Sequence, residues 1–179
     1  MVHRPHLNIL AFSGSLRVAS LNTAFLRAMA RLSPPNFEIS IYRGLGYFPL
    51  FNPDISLTPP AIVANFQSRV AESDALIIAS PEYAHGVTGT IKNTLDWLVG
   101  FEQFAGKPVA IINTSPRAHH ANDSLRETLR TMAAQIVEPA SITIPLLGQS
   151  SDECELANLP FVIESMSTLF GAIENHLHS

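Results

Sequence analysis

Apolar runs of strand length alternate along this chain with segments whose apolar residues recur at helical spacing. The strand-like runs are residues 7–12, 37–42, 74–79, 107–113 and 137–144. The run at 74–79 is continuously apolar after Asp74, which predicts a strand that is buried on both faces. Pro139 predicts an edge position for the fifth strand, because proline cannot donate to a strand ladder.

Amphipathic segments follow these strands and complete five β–α repeats. They are residues 21–32, a second helix opened by residues 58–60, and residues 90–99, 122–135 and 160–176. This alternation predicts an α/β fold with a parallel sheet and helices on both faces. Such sheets bind ligands outside the carboxyl ends of their strands. We therefore expect the loops at residues 12–22, 80–89 and 114–121 to converge on one site.

Length, charge and cysteine content limit the class of protein. The chain has 179 residues, of which 46% are hydrophobic, and this predicts a single domain over residues 1–179. The net charge of −4 and the lack of a basic run argue against a nucleic-acid partner. One cysteine, Cys154, excludes an intrachain disulfide. No apolar stretch is long enough to span a membrane, and a cytoplasmic location is predicted.

The loop after the first strand carries groups that bind anions. Ser13, Ser15 and Ser20 offer hydroxyls, Asn22 offers an amide, and Arg17 offers a planar fork of N–H donors. The helix that follows adds the free N–H groups and the positive dipole end of its first turn. The loop therefore predicts an anion site. The alternative is a plain strand-to-helix turn in which Ser20 or Asn22 only caps the helix.

The apolar group at residues 47–51 has two interpretations. It lies inside a proline-rich loop, which either folds onto its own surface or forms a wall of a site or a subunit contact.

The helix at 90–99 has a structural interpretation. Lys92 and Asp96 have the spacing of an ion pair, and Leu95 and Trp97 have that of packing residues.

These motifs together resemble the NADPH-dependent FMN reductase family, which includes quinone, azo-dye and chromate reductases. The resemblance rests on Gly14-Ser15-Leu16-Arg17 with Ser20 and Asn22, on Pro81-Glu82-Tyr83, Gly89, Lys92-Asn93 and Leu95-Asp96-Trp97, and on residues 48–54. It implies a flavodoxin-like three-layer sandwich with a five-stranded parallel sheet in the order 2-1-3-4-5. It also implies that FMN binds at the carboxyl edge of that sheet.

Carried over by position, the family implies two sets of FMN contacts. The phosphate contacts are Ser15, Arg17, Ser20, Asn22 and the amide of Leu21. The isoalloxazine contacts are Pro81, Glu82, Tyr83, Ala84 and Ser115. The resemblance also implies a homodimer or homotetramer, with the helix from Thr90 and residues 48–54 as contact elements.

The chain departs from the family pattern in two loops. Ala84 stands where the family usually has Asn, and residues 115–121 lack the usual glycines and carry Arg117, His119 and His120 instead. This loop either holds FMN differently, with Arg117 near the N1–C2=O side, or shapes a different acceptor pocket, or weakens flavin binding. We favour retained FMN, since the phosphate loop is intact. We predict no metal at the histidines, because no carboxylate or cysteine accompanies them.

The function implied by the resemblance is an FMN-dependent oxidoreductase that takes hydride from NADPH or NADH. The acceptor is a small molecule such as a quinone, an azo compound, a metal oxyanion or free flavin, in a ping-pong scheme. FMN carries the chemistry, so no catalytic side chain is required, and no catalytic role is predicted for Glu82. The alternatives are a non-enzymatic electron carrier, which at −4 would be unusually weakly acidic, and an anion-binding or interaction module that has lost flavin.

Overall fold

The computed structural model describes residues 6–179 and contains a central parallel sheet. Its strands are β1 (Leu7–Ser13), β2 (Phe37–Tyr42), β3 (Ala75–Ala79), β6 (Pro108–Asn113), β7 (Gln135–Ile136) and β8 (Ile142–Thr143), while β4 (Glu82–Tyr83) and β5 (Gly86–Val87) form a separate hairpin. The order β2-β1-β3-β6-β7 is the predicted 2-1-3-4-5 order of main strands. Strand β1 lies between β2 and β3, with Leu10 opposite Ser40 and Leu76.

The fifth strand is discontinuous. Both β7 and β8 pair in parallel with β6, and a 3-10 turn at Glu138–Ala140 separates them. The edge position is confirmed, but the prediction of one strand within residues 137–144 is wrong in its extent. Pro139 lies in the turn, where it displaces the ladder. The hydroxyl of Ser141 accepts a hydrogen bond from the backbone N–H of Ile111 at 3.1 Å and so partly replaces the missing ladder.

Helices cover both faces of the sheet. They are α1 (Leu21–Leu32), α2 (Ala61–Glu72), α3 (Gly89–Asp96), α4 (His119–Thr131), α5 (Glu153–Ala157) and α6 (Pro160–Leu177). Successive residues of β1 point to opposite cores: Ile9 packs with α1 and α6, while Leu10 packs with α2, α3 and α4. This is the predicted three-layer arrangement. Across residues 6–179, no helix combines the length and apolarity needed to cross a membrane.

Aromatic rings hold the end of β2 against α2. Phe66 on α2 is fully buried, and its ring centroid lies 4.8 Å from that of Tyr42, 5.4 Å from that of Phe48 and 5.4 Å from that of Phe12. The hydroxyl of Tyr42 donates to the carbonyl of Ile62 at 3.0 Å. Burial raises the pKa of this phenol above its ordinary value, so the hydroxyl stays protonated as a donor. These contacts therefore fix the position at which the chain leaves β2.

Helix α3 anchors the loop at residues 43–60. The side-chain amide of Asn93 accepts from the N–H of Phe51 at 2.8 Å and donates to the carbonyl of Pro49 at 3.0 Å. The indole of Trp97 donates to the same carbonyl at 2.9 Å, and the Phe51 ring meets it edge-on at 5.2 Å. The loop thus folds onto its own protein at Phe48 and Phe51, as the first alternative predicts.

Other parts of this loop face outward. Tyr47 is 79% exposed and Leu50 is 83% exposed, so the apolar group at residues 47–51 is divided between core and surface. On α3, the predicted ion pair of Lys92 with Asp96 is present. The predicted packing roles are also confirmed, since Leu95 and Trp97 on its far side are buried.

Replacing Asn93 by leucine tests the anchor. Asn93→Leu keeps the side-chain size but leaves the N–H of Phe51 without its acceptor, which costs about 1–3 kcal/mol of unfolding free energy. Urea unfolding measures that loss, and limited proteolysis within residues 48–60 should become faster. Asn65→Leu, at an exposed position on α2, is the control. Equal cleavage rates in the two variants would contradict the anchoring role.

Candidate functional site

The carboxyl ends of β1, β3 and β6 meet at one cleft of about 520 Å³. Nine of the ten predicted site residues line it, namely Ser15, Arg17, Ser20, Leu21, Asn22, Pro81, Glu82, Tyr83 and Ser115. Ala84 does not line this cleft. The convergence of three loops, expected from strand order, is thus present in the structure, while the role of each residue in binding stays a prediction.

The first turn of α1 presents unpartnered donors. Ser20 caps the helix: its hydroxyl oxygen accepts from the N–H of Thr23 at 3.2 Å, and its carbonyl accepts from the N–H of Ala24 at 2.8 Å. Within residues 6–179, the N–H groups of Leu21 and Asn22 have no protein acceptor. These two groups stand at the positive end of the helix dipole, where an anion is stabilised. The cap and the anion site are therefore compatible features of one helix end.

Serine side chains shape the loop before that helix. The hydroxyl oxygen of Ser13 accepts from the N–H of Ser15 at 3.1 Å, and that of Ser15 accepts from the N–H of Arg17 at 3.4 Å. Each bond uses an acceptor lone pair, so both hydroxyl protons stay available to a ligand. The guanidinium of Arg17 is exposed and has no partner among the described residues. The donor set fits a phosphate monoester.

A buried hydrogen bond joins the first loop to the third. The hydroxyl of Thr114 donates to the side-chain oxygen of Asn22 at 3.1 Å, and both residues are about 5% exposed. This bond fixes the orientation of the Asn22 amide and leaves its N–H groups as donors. Asn113 also accepts from the N–H of Ser115 at 3.1 Å and turns the third loop toward the cleft.

Gly14 sets the distance between the first and second loops. Its N–H donates to the carbonyl of Ala79 at 2.8 Å. A Cβ at this position would lie 2.5 Å from Cγ1 of Ile91 and 2.8 Å from the hydroxyls of both Ser80 and Thr88. Ile91 is fully buried and has no room to withdraw. Only glycine lets β1 end this close to the start of α3.

The second loop is a tight hairpin rather than the plain loop predicted. Strands β4 and β5 pair Glu82 with Val87 and Tyr83 with Gly86. The two turn residues, Ala84 and His85, have φ values of 50° and 60°. Turns of this type, I′, require positive φ at both positions and favour Asn and Gly there. In this chain Ala84 takes the first of these positions, and it lies at the hairpin tip and outside the cleft.

Glu82 connects the second loop to α4. Its carboxylate accepts a hydrogen bond from the backbone N–H of Ala121 at 2.8 Å. The residue at the N-cap position of α4, Ala118, makes no side-chain cap. Glu82 therefore caps α4 from another element, with its negative charge at the positive end of the helix dipole. No motif or spacing indicates this partner, which lies 39 residues away along the chain.

The third loop places one cation at the cleft and its histidines elsewhere. Arg117 lines the cleft and is exposed, and its N–H donates to the Ser115 hydroxyl oxygen at 3.3 Å. The ring centroid of His120 lies 4.4 Å from that of His85 and 4.1 Å from that of His119. This stack does not line the cleft. No group of three or more metal-ligating side chains suited to a metal ion is found within residues 6–179.

Sequence reasoning missed several residues of the cleft wall. They are Ala19, Asn113, Thr114, Ala118, Leu147, Gln149 and Ser151. The last three belong to the loop after β8, which leaves the carboxyl end of the discontinuous fifth strand. The rule that sites lie at carboxyl ends includes this loop, because the predicted fifth strand ends at residue 144 and β8 ends at Thr143.

Similar proteins are flavoenzymes. Residues 7–146 match the NADPH-dependent FMN reductase family. An NAD(P)H-dependent FMN reductase of Pseudomonas aeruginosa is 36% identical over 129 residues, 69% of this chain and 69% of that protein. An NADPH:quinone oxidoreductase of Arabidopsis thaliana is 38% identical over 117 residues, 62% of this chain and 59% of that protein. The stretch matched in the second relative is thus less than two thirds of its length.

A solved structure extends the likeness to the whole described fold. A flavoenzyme NAD(P)H:(acceptor) oxidoreductase of Paracoccus denitrificans has a TM-score of 0.74 and 26% identity, covering 95% of this chain and 98% of that one. The order of main strands is also that of flavodoxin-like folds. The family match, the fold and the donor-lined cleft agree, and this chain belongs to the NADPH-dependent FMN reductase family of FMN- and NAD(P)H-dependent oxidoreductases.

Proposed function

We propose that this chain holds FMN in the main cleft and passes hydride from NAD(P)H through it to a small acceptor. The observation that carries the proposal is the set of unpartnered donors at the start of α1. The N–H groups of Leu21 and Asn22 and the guanidinium of Arg17 have no protein acceptors among the described residues, and all three residues line the cleft. A phosphate dianion satisfies such a donor set.

The remaining walls suit a flat polar ring. The second loop contributes Pro81, Glu82 and Tyr83, and the third loop contributes Ser115 and Arg117. Tyr83 is 51% exposed and offers a ring face or hydroxyl, while the Glu82 carboxylate is occupied by the N–H of Ala121. FMN, when bound, supplies two-electron transfer between NAD(P)H and the acceptor. The residues of this chain bind and orient it, and none needs to act as an acid or base.

We infer a quinone as the acceptor class. Relatives that are 31–38% identical to this chain over 112–123 residues are named quinone reductases or a quinone oxidoreductase. Arg117 supports the same inference, because a guanidinium at the cleft wall favours the negative charge that a quinone gains on reduction. Azo compounds, metal oxyanions and free flavin stay the alternatives.

We also propose a homodimer or homotetramer. Leu16, Tyr47 and Leu50 are 64%, 79% and 83% exposed, and Val18 is fully exposed. These side chains come from the phosphate loop and from the loop anchored by α3. Exposed apolar side chains from two adjacent loops favour a contact with another subunit. The single domain and the cytoplasmic location stay predictions from the sequence.

An absorption spectrum tests the proposed function. The protein, incubated with FMN and desalted, should keep flavin absorption that bleaches with NADPH in the absence of oxygen and returns on addition of benzoquinone. Flavin bands that persist under NADPH would support the electron-carrier alternative. A protein that retains no flavin would support the interaction module.

Replacing Arg17 tests the phosphate site. Arg17→Ala should weaken FMN about 10- to 100-fold, because one charge-assisted contact contributes about 1.5–3 kcal/mol. Riboflavin lacks the phosphate and should lose little affinity. Titration of the flavin-free protein with both ligands, followed by flavin fluorescence, gives the two values. Equal losses for the two ligands would place the Arg17 side chain away from the phosphate.

Replacing Arg117 tests its place beside the flavin. Arg117→Gln should lower the reduction potential of bound FMN, because a positive charge nearby stabilises the reduced anionic flavin. Arg117→Lys keeps the charge and should stay closer to the wild-type value. Spectroelectrochemical titration of the FMN-loaded proteins gives the potentials. If the Gln variant keeps the wild-type potential, Arg117 does not act on the flavin.

A further inference from the structure

A second cleft, of about 400 Å³, lies on the other side of the phosphate loop. We call it the arginine cleft. It is formed by the end of β1, one face of α1, and the end of β2 with the loop that follows. Its lining residues are Ser13, Ser15, Leu16, Arg17, Thr23, Arg27, Ile41, Tyr42, Arg43, Leu45, Gly46 and Tyr47. Its volume lies within the roughly 300–1,000 Å³ usual for ligand pockets.

Three arginines line this cleft. They are Arg17, Arg27 and Arg43, and of the described residues no Asp or Glu lines the cleft beside them. In residues 6–179, neither Arg17 nor Arg43 has a side-chain hydrogen bond or an ion pair. The chain as a whole carries a net charge of −4, so this is a local reversal of its sign. Three unpaired or weakly paired cations around one cavity point to an anionic ligand.

Arg27 is incompletely satisfied. Its Nη1 lies 3.7 Å from a carboxylate oxygen of Glu153, which is beyond hydrogen-bond distance, and its side chain is 37% exposed. Its Nε is buried and has no hydrogen-bond partner. Buried polar atoms are almost always paired, so Arg27 stands at the cleft without a full set of protein acceptors. Arg27 and Thr23 are four residues apart on α1 and therefore share the helix face that lines the cleft.

Apart from Ser13, Ser15 and Thr23, the rest of the cleft lining is mostly apolar or aromatic. Leu45 is buried, Leu16 packs over Gly46, and Tyr47 is 79% exposed at the rim. The Tyr42 hydroxyl is occupied by the carbonyl of Ile62. An inorganic anion would leave these surfaces without contacts. The lining therefore favours an anion attached to a flat ring, which can stack on the Tyr47 ring or on a guanidinium plane.

We propose that the arginine cleft binds the 2′-phosphoadenosine end of NADPH. The arginine cleft and the main cleft share Ser15 and Arg17 in their walls, so the arginine cleft adjoins the proposed FMN site, and a coenzyme that reaches the flavin can extend into it. NADPH carries a phosphomonoester on its adenosine and NADH does not, so Arg27 and Arg43 select for NADPH, while Arg17 binds the FMN phosphate. Guanidinium pairs with phosphate through two parallel hydrogen bonds, and arginine accommodates a 2′-phosphate in other dinucleotide sites. This inference rests on the proposed NAD(P)H chemistry.

Direct binding tests the cleft without turnover. Calorimetric titration of the FMN-loaded protein with 2′-AMP should give binding at least about tenfold tighter than with adenosine or inorganic phosphate. Arg43→Gln and Arg27→Gln should each weaken 2′-AMP about tenfold. Arg31→Gln, an exposed arginine one turn after Arg27 on α1, is the matched control and should bind like the wild type. Flavin absorbance and thermal melting confirm that each variant is folded.

Steady-state kinetics test the link to the coenzyme. The ratio of kcat/KM for NADPH to that for NADH should fall about tenfold in Arg43→Gln and stay unchanged in Arg31→Gln. Phosphate binding as tight as 2′-AMP binding, or an unchanged coenzyme ratio in Arg43→Gln, would overturn the proposal. If the protein oxidises neither coenzyme, the proposed function fails, while the 2′-AMP titration still decides what the arginine cleft binds.

Discussion

The contact at Gly14 is the constraint on which the site depends. Strand β1 ends where a side chain of any size would collide with Ile91, Ser80 and Thr88. The absence of that side chain lets the phosphate loop lie against the start of α3 and beside the hairpin. The sheet fixes where β1 and β3 end. Because Gly14 has no side chain, the loops that follow these strands can lie together and form one continuous cleft wall.

Several polar side chains of the site make hydrogen bonds within the protein and still have donor groups available for a ligand. Ser20 caps α1 with its oxygen, and Asn22 accepts from Thr114 with its own, while the N–H and O–H donors of the same groups stay unused. Hydrogen bonds within the protein therefore occupy the acceptor atoms of these groups and leave their donor groups unpaired. An excess of donors at one sheet edge is what an anionic ligand requires, and it makes the orientation of each donor independent of the ligand.

The sequence predicted most strands and helices, because continuous apolar strands and periodic helices are local signals, whereas the sheet order came from the family resemblance. It failed where structure depends on distant partners. Pro139 indicated an edge but not a break in the strand, and the hairpin turn at Ala84 and His85 was hidden by residues that seldom adopt positive φ. Nine of the ten site residues that the family resemblance implied line the cleft. The partner of Glu82 depends on a tertiary contact that no spacing reveals.

The hydrogen bond between Glu82 and the N–H of Ala121 has a consequence for reading mutational data. A substitution at Glu82 would remove the cap of α4 and release the hairpin from the third loop at once. Loss of flavin in such a variant would then report a disrupted wall as well as any lost contact with the ligand. A screen of this chain position by position would therefore not separate the two effects at Glu82, because its carboxylate also holds α4.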